Sequence, residues 1–268
     1  ALANFTAFAS CVIQEFSVIN SEVMHDTGIA GATINPFAVP SGGQIDRFYM
    51  ANTKWGGNGI ALALSGLTCT GTGAVRKVDF ENCEFGFPFQ GAVNIQATAA
   101  IVPSISFRNC RSFNGSMNAF INSNLPSNAV VNLYNCDWGN TLKGGLFMNT
   151  AAVATYNIFL EGCGSGARQI VDATVGTNHT YNIRSGGGNS SNSGAFITQA
   201  LGGAGNTWNF IGNCSDIRVD ITGAARVDGT VIYNTNAAAG TLGVAGLVVC
   251  QGTAAGSWKL MSDPTKSF

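Results

Sequence analysis

Charge is the scarcest property of this chain of 268 residues. Asp, Glu, Lys and Arg make up only 10% of it, against roughly a quarter of an ordinary soluble domain. The formal net charge is −1, which gives no general attraction to nucleic acid or to an anionic membrane surface. We therefore predict neither nucleic-acid binding nor membrane-surface binding.

Long apolar runs and metal-ligand patterns are also missing. The longest apolar runs, such as residues 243–250, are much shorter than the ~20 residues that span a bilayer, so no membrane insertion is predicted. The two histidines, His25 and His179, have no His or Cys at ligand spacing, so no metal or other cofactor is predicted. No phosphate loop or nucleophile elbow occurs. No basic segment precedes the apolar residues 5–9, so no secretory signal is predicted.

What the chain does contain is a repeat built around asparagine. The pattern is apolar-x-apolar-x-Asn-x-charged, and it is centred on Asn20, Asn52, Asn82, Asn109 and Asn135, at steps of 32, 30, 27 and 26 residues. It continues at Gly162 without its polar residues and returns at Asn213. A period of 20 to 50 residues is typical of a solenoid. The alternation of apolar residues within each repeat indicates a half-buried strand.

A second set of short strands falls between these repeats at a spacing of about 26 residues. It comprises residues 93–95, 119–122, 146–149, 169–172 and 195–198. Strands that recur once per repeat can stack only if the chain coils and returns in parallel. We therefore predict an all-β fold, a single-stranded right-handed parallel β-helix of about eight rungs over residues 16–235. Residues 1–15 are predicted to be a lead-in, and residues 236–268 a small C-terminal β cap or trimerisation segment.

A β-sandwich is the competing architecture, but it would show antiparallel hairpin signals every 8–12 residues or so. The echo of Tyr156-Asn157-Ile158 in Tyr181-Asn182-Ile183 and in Trp208-Asn209-Phe210 also favours stacked repeats. Between them, the polar segment 186–194 has no packing residues and is predicted to be a protruding or mobile loop.

Asparagine and cysteine have structural explanations in this architecture. Asparagine tolerates the left-handed backbone of a bend, and stacked amides can hydrogen-bond from one rung to the next. Five cysteines follow the bend position directly: Cys83, Cys110, Cys136, Cys163 and Cys214. Parallel Cβ vectors on stacked strands suit a disulfide poorly, so we predict a column of small buried thiols.

Charged residues form two further columns. The residues two positions after the asparagines are Glu22, Lys54, Glu84, Arg111 and Asp137, which alternate in sign. Neighbouring rungs should therefore carry cross-strand ion pairs that fix the register. The residues just before the asparagines include Glu81, Arg108, Tyr134 and Glu161, and Glu81 and Arg108 are also expected to pair.

Aromatic residues follow the first charged column and suggest carbohydrate binding. Aromatic faces cover the C–H surfaces of sugars, while charged and polar groups bind their hydroxyls. The candidate carbohydrate-binding residues are Trp55, Phe85, Arg111 and Trp138.

Carboxylates could also cleave a glycan, and the candidate catalytic residues are Glu84, Asp137, Glu161 and Asp172. Glu84 and Asp137 should lie two rungs apart, or about 9.6 Å, near the upper limit for an inverting glycosidase. Arg111 between them would keep both ionised, whereas a general acid must hold a proton. Asp172, expected beside Asn149 and Thr198, is a weaker candidate. Binding is therefore favoured over cleavage.

The Asn-Cys bends, taken with residues 246–259 (GLVVCQGTAAGSWK), resemble bacteriophage tailspikes and tail fibres of the pectate-lyase-like β-helix class. Such chains often end in Trp/Leu-Val-Cys-x-x-x-Gly-x-Pro-Gly-x-Trp-Lys, and this chain has Ala254 and Ala255 around the proline position. The resemblance implies a homotrimer in a virion tail, joined to other tail proteins, assembled in the host cytoplasm and acting outside the cell.

The same resemblance implies that the protein recognises a bacterial surface polysaccharide. Trimer packing would also explain the low charge, because one face of each β-helix would be buried. The alternative is a depolymerase, a glycoside hydrolase or lyase that acts on capsule or O-antigen with the carboxylates above, Glu81 included, and with Trp138 as a sugar platform. A secreted pectate-lyase-like enzyme would be expected to show a signal sequence and an Asp-rich calcium site.

Overall fold

The computed structural model describes most of the repeat region and parts of both ends. The described residues are 5–6, 10–26, 37–58, 65–86, 91–95, 101–112, 121–123, 125–137, 146–148, 153–165, 170–172, 179–191, 197–198, 207–220, 231–234, 246–250 and 258–267. Every regular element within these ranges is a β-strand. They contain no helix that is long and apolar enough to cross a membrane.

The strands are short and regularly spaced, as the repeat predicts. In chain order they are β1 (Phe5–Thr6), β2 (Val12–Ile19), β3 (Glu22–Asp26), β4 (Phe37–Val39), β5 (Gln44–Ala51), β6 (Lys54–Asn58), β7 (Ser65–Cys69), β8 (Ala74–Glu81), β9 (Glu84–Phe85), β10 (Gly91–Ile95), β11 (Ser104–Arg108), β12 (Arg111–Ser112), β13 (Ile121–Ser123) and β14 (Ala129–Tyr134). They continue as β15 (Leu146–Met148), β16 (Thr155–Glu161), β17 (Gly164–Ser165), β18 (Ile170–Asp172), β19 (Thr180–Gly187), β20 (Ser190–Ser191), β21 (Ile197–Thr198), β22 (Thr207–Ile211), β23 (Asn213–Asp220), β24 (Val231–Asn234), β25 (Gly246–Cys250), β26 (Trp258–Leu260) and β27 (Asp263–Ser267).

The strands of the repeat region pair in parallel with strands one repeat away. An eight-stranded sheet has the order β2-β5-β8-β11-β14-β16-β19-β22, and a four-stranded sheet has the order β3-β6-β9-β12. A thirteen-stranded sheet runs from β1 through β4, β7, β10, β13, β15, β18 and β21 to β23 and β24 before its last three strands. The fold is thus a parallel β-solenoid of stacked coils, and the predicted fold class is confirmed.

The second set of strands lies where the spacing placed it. In the thirteen-stranded sheet, Ile121 of β13 is aligned with Val93 of β10 on one side and with Leu146 of β15 on the other. The parallel order ends at β24, because β24–β25, β25–β26 and β26–β27 are antiparallel pairs. The coiling therefore stops close to the residue at which the sequence repeat stops.

The core lies between the three sheets and is built from in-register apolar columns. In the eight-stranded sheet, one column stacks Phe48, Val78, Ile105 and Val131, all of them fully buried. The neighbouring column contains Phe80 and Phe107, whose rings are stacked with centroids 4.8 Å apart. Period-two alternation turns the residues between these columns toward the outside.

The asparagines occupy the bends that follow the first five strands of the eight-stranded sheet. Asn20, Asn52, Asn82, Asn109 and Asn135 have φ values of +52°, +49°, +51°, +50° and +49°, the left-handed region that asparagine tolerates. From Asn52 onward, each amide nitrogen donates to the amide oxygen one rung earlier, at 3.0, 3.0, 3.0 and 3.3 Å. The predicted function of this column, holding the bend, is confirmed.

Gly162 replaces asparagine at the next rung and keeps the bend with φ +63°. A Cβ atom at this position would lie 2.2 Å from Oδ1 of Asn135, so the last amide of the ladder fills the space that a side chain would need. Glycine adopts this conformation without steric cost.

The position after each bend is a column of small hydrogen-bond donors. Each side chain donates to the carbonyl oxygen two residues earlier: Ser21 at 3.0 Å, Thr53 at 2.9 Å, Cys83, Cys110 and Cys136 at 3.3 Å and Cys163 at 3.4 Å. The five cysteines of this column, Cys83, Cys110, Cys136, Cys163 and Cys214, are buried free thiols, so the thiol column is confirmed. Burial raises the pKa of the Cys110 thiol, which keeps it protonated as a donor.

The prediction of a protruding loop at 186–194 is wrong for its described part. Gly186 and Gly187 belong to β19, Ser190 and Ser191 form β20, and Asn189 is only 7% exposed. The Asn189 amide donates to the Leu160 carbonyl at 3.3 Å and to the Asp216 carboxylate at 2.7 Å. A buried polar network therefore replaces the apolar packing that the sequence lacks here. Residues 192–194 lie outside the described residues.

Candidate ligand-binding site

The alternating charges lie in register along the four-stranded sheet. Lys54 Nζ is 3.9 Å from Glu22, and Arg111 Nε donates to Glu84 Oε1 at 2.7 Å while a second Arg111 nitrogen contacts the same oxygen. Asp137 is aligned with Arg111 on the next rung. The predicted ion pairs Glu22–Lys54 and Glu84–Arg111 are confirmed, so Glu84 already has a charged partner within the ladder.

The four candidate catalytic residues do not meet at one place. Glu84 and Asp137 belong to the ladder of the four-stranded sheet. Glu161 is an exposed residue of the eight-stranded sheet, and Asp172 belongs to the thirteen-stranded sheet. Asp172 is aligned with Met148, while Thr198 is aligned with Val171, so the neighbours expected for Asp172 were wrong by one position.

The aromatic column after the charges faces the core rather than the solvent. Trp55 is 2% exposed and Phe85 is fully buried. Trp55 packs edge-on against Phe37 at 5.2 Å, and Phe85 packs against Phe80 at 5.5 Å. Because Lys54 and Glu84 point outward, the next residue of each strand points inward. The prediction that these two rings form sugar platforms is therefore wrong, and Trp138 lies outside the described residues.

The column before the bends also differs from expectation. No ion pair joins Glu81 to Arg108, although their strands are in register. Instead, the Tyr49 hydroxyl donates to Glu81 at 3.0 Å, and the Arg108 guanidinium lies 4.9 Å from the ring centroid of Tyr134. The Glu81 carboxylate raises the pKa of Tyr49, because it holds the phenolic proton.

The outward face of the eight-stranded sheet has two chemically different halves. On its N-terminal rungs, Arg47 Nε donates to Asp79 at 3.0 Å and Arg47 also pairs with Glu15 at 3.2 Å. Lys77 lies 3.2 Å from the same Asp79 carboxylate. The hollow at this end, of about 230 Å³, is lined by Arg47, Lys77, Asp79, Glu81 and Arg108 among others. The charges there largely satisfy one another.

The C-terminal half carries a larger hollow of about 490 Å³, which we call the amide groove. Its lining residues are Val130, Asn132, Tyr134, Asn157, Ile158, Phe159, Asn182, Arg184 and Ile211. They come from β14, β16, β19 and β22, so one face of four successive rungs builds the whole surface.

A second amide ladder runs through this groove. Asn182 donates to Asn157 Oδ1 at 2.9 Å and accepts from Asn209 at 2.9 Å. A primary amide has two N–H donors and an oxygen with two lone pairs. The central amide therefore keeps one N–H and one lone pair for a ligand, and this capacity recurs at the strand spacing of about 4.8 Å.

Aromatic rings and one cation complete the groove. The rings of Tyr134 and Phe159 are partly exposed and lie 5.3 Å apart. Arg184 is aligned with Phe159 on one side and with Ile211 on the other, and its side chain is exposed. Amides that can both donate and accept, next to ring faces, suit a ligand that carries hydroxyls on an apolar ring.

Sequence reasoning missed this groove although its signal was present. The repeated Tyr-Asn-Ile echo contains Asn157 and Asn182, and its counterpart at residues 208–210 contains Asn209. The echo indicated stacked strands. Treating the alternate positions as an outward column would have placed the three amides on one surface.

No protein-family model matches the chain, and comparison with curated proteins and with solved structures gives no match. The functional conclusion therefore depends on the groove itself.

Proposed function

We propose that this chain is a receptor-binding β-solenoid of the kind used in bacteriophage tailspikes and tail fibres, and that it binds a bacterial surface polysaccharide along the amide groove. The observation that carries the proposal is the ladder Asn157–Asn182–Asn209 beside the rings of Tyr134 and Phe159. The ladder offers unused donors and acceptors in a line along the stacked strands. A linear glycan presents hydroxyls, each a donor and an acceptor, along such a line.

Binding without cleavage is the better supported reading. The candidate catalytic carboxylates are spread over three sheets, and Glu84 is paired with Arg111. Hydrolysis with inversion or retention needs two carboxylates on opposite sides of one glycosidic bond. None of the described residues that line the amide groove carries a carboxylate.

Self-association as a homotrimer, with other tail proteins as partners, is part of the same proposal. The described surface has large exposed apolar residues, among them Val12 at 60%, Ile101 at 51% and Val153 at 70%, and the whole chain has little charge. Both features favour burial of one face against another copy. Light scattering at micromolar concentration should give the mass of a trimer, and a monomeric mass would contradict this part of the proposal.

The binding test uses purified capsule and O-antigen from candidate hosts. Phe159→Ala should weaken binding on the order of tenfold, because it removes a ring from the groove. Tyr49→Ala is the matched control, an aromatic residue on the same outward face but in the charged half. An equal loss of polysaccharide binding in Phe159→Ala and Tyr49→Ala would argue against the amide groove as the binding site.

A reducing-end assay on the same mixtures separates binding from cleavage. We expect no release of oligosaccharides. Release that is lost in Glu84→Gln or in Asp137→Asn would overturn the binding-only proposal and establish a depolymerase.

A further inference from the structure

We infer that the amide groove is specific for an acidic polysaccharide, and that Arg184 binds the carboxylate of a uronic acid or a related acidic sugar. This inference rests on the proposed function, because it names the class of glycan that the groove would select.

Among the described residues that line the groove, Arg184 is the one that carries a charge. Three other arginines whose side chains are described have ionic partners: Arg47 with Asp79, Arg76 with Asp46 at 3.4 Å, and Arg111 with Glu84. Arg108 lies over Tyr134. Within the described part of the chain, Arg184 forms no ion pair, so its charge is available to a ligand.

The surroundings of Arg184 strengthen binding to an anion. Phe159 and Ile211 lie on either side of it in register, and apolar neighbours lower the local dielectric and raise the strength of an ion pair. A ligand that covers this part of the groove would exclude water from the guanidinium, which weakens screening by salt as well.

The shape and charge of the site favour a carboxylate over a phosphate. A guanidinium presents two parallel N–H groups that match the two oxygens of a planar carboxylate. The lining amides are neutral, so beside Asn182 the positive charge comes from the guanidinium of Arg184. A carboxylate carries one negative charge and is fully compensated, whereas a phosphate monoester carries about −1.5 to −2 at neutral pH.

Amide positions complete the recognition of such a sugar. Asn182 is two residues from Arg184 on the same strand, and both point outward. A pyranose ring whose carboxylate meets Arg184 can therefore place its hydroxyls toward the spare donor and acceptor of Asn182.

The test is an array of bacterial surface polysaccharides in which each acidic member is printed beside its carboxyl-reduced form. The wild-type protein should bind acidic members about tenfold or more tightly than their reduced forms. Arg184→Gln should remove this preference and leave the weaker binding to neutral forms, while Arg184→Lys should retain part of it. Arg76→Gln, an exposed arginine on an earlier rung of the same sheet, is the matched control and should behave as wild type.

The outcomes separate this inference from the proposed function. Equal binding to acidic and reduced forms, or an acid preference that survives Arg184→Gln, overturns the inference and leaves polysaccharide binding standing. Binding to no polysaccharide on the array overturns both. Loss of the oligomer in Phe159→Ala would show that the groove is an interface between copies, which also overturns the inference.

Discussion

The geometry of the asparagine ladder predicts that glycine destabilises the fold less than alanine does when either replaces a bend asparagine. Asn82 donates to Asn52 at 3.0 Å and accepts from Asn109 at 3.0 Å, and its backbone is left-handed with φ +51°. Asn82→Gly removes both hydrogen bonds but suits the backbone. Asn82→Ala removes the same bonds and also places a Cβ in the left-handed conformation.

The magnitudes follow from those two terms. The bonds are exposed, so each contributes about 0.5 kcal/mol, at the low end for hydrogen bonds. The chain entropy of glycine adds about 0.5–1 kcal/mol, so Asn82→Gly should cost about 1.5–2 kcal/mol. A non-glycine residue without a local side-chain bond adds about 1–2 kcal/mol of left-handed strain. Asn82→Ala should therefore cost about 2–3 kcal/mol.

Urea unfolding followed by tryptophan fluorescence measures the difference in the free energy of unfolding between Asn82→Gly and Asn82→Ala. Ser17, an exposed strand residue, is the control site, since there alanine should be more stable than glycine by about 0.5–1 kcal/mol. If Asn82→Ala is as stable as Asn82→Gly, or more stable, the backbone conformation is not what selects asparagine at the bends.

Two further predictions concern the buried thiols. Burial raises the pKa of Cys69 to about 12, so the unfolded chain loses this proton first as pH rises above about 8.5. The free energy of unfolding should then fall between about pH 9 and 12, by up to about 1.4 kcal/mol per pH unit for this group, and Cys69→Val should flatten that dependence in urea titrations. Cys110→Ala should cost about 1–2 kcal/mol, because it removes the donor to the Arg108 carbonyl and leaves a cavity. Cys110→Thr should cost less, since Thr53 makes the equivalent bond two rungs earlier in the same column, and equal losses in both variants would contradict the role of the donor column.

The parts of the fold that sequence predicted are those fixed by in-phase repetition. The steps between Asn20, Asn52 and Asn82 determine which strands pair and in what register, and the charged column follows from the same phase. Whether a given side chain points toward the core or toward solvent was harder to predict. Because Cys83 is buried and Glu84 points outward, period-two alternation already implied that Phe85 points inward. The aromatic residues were instead assigned to sugar binding from their chemistry, without regard to their place in this alternation.

The structure at irregular positions could not be predicted from the sequence for a different reason. The register shifts between Leu160 and Glu161 where β16 pairs with β19. Counting residues along the repeat therefore no longer gives the correct alignment at the rung that contains Asn189. The partner of Asn189 is Asp216, 27 residues away, and no local pattern links them. A segment rich in glycine, serine and asparagine normally indicates a loop, and here the polar network packs it instead.

The two halves of the outward face explain why ligand binding is expected on only one of them. In the charged half, Arg47, Asp79 and Glu15 already bond to one another, so a ligand would have to replace existing interactions and would gain little. In the amide groove, the ladder leaves one donor and one acceptor on Asn182 unused, and Arg184 has its charge available. A hydroxyl-bearing acid adds bonds there without breaking any, which is why the later rungs, and not the more highly charged earlier ones, should select the glycan.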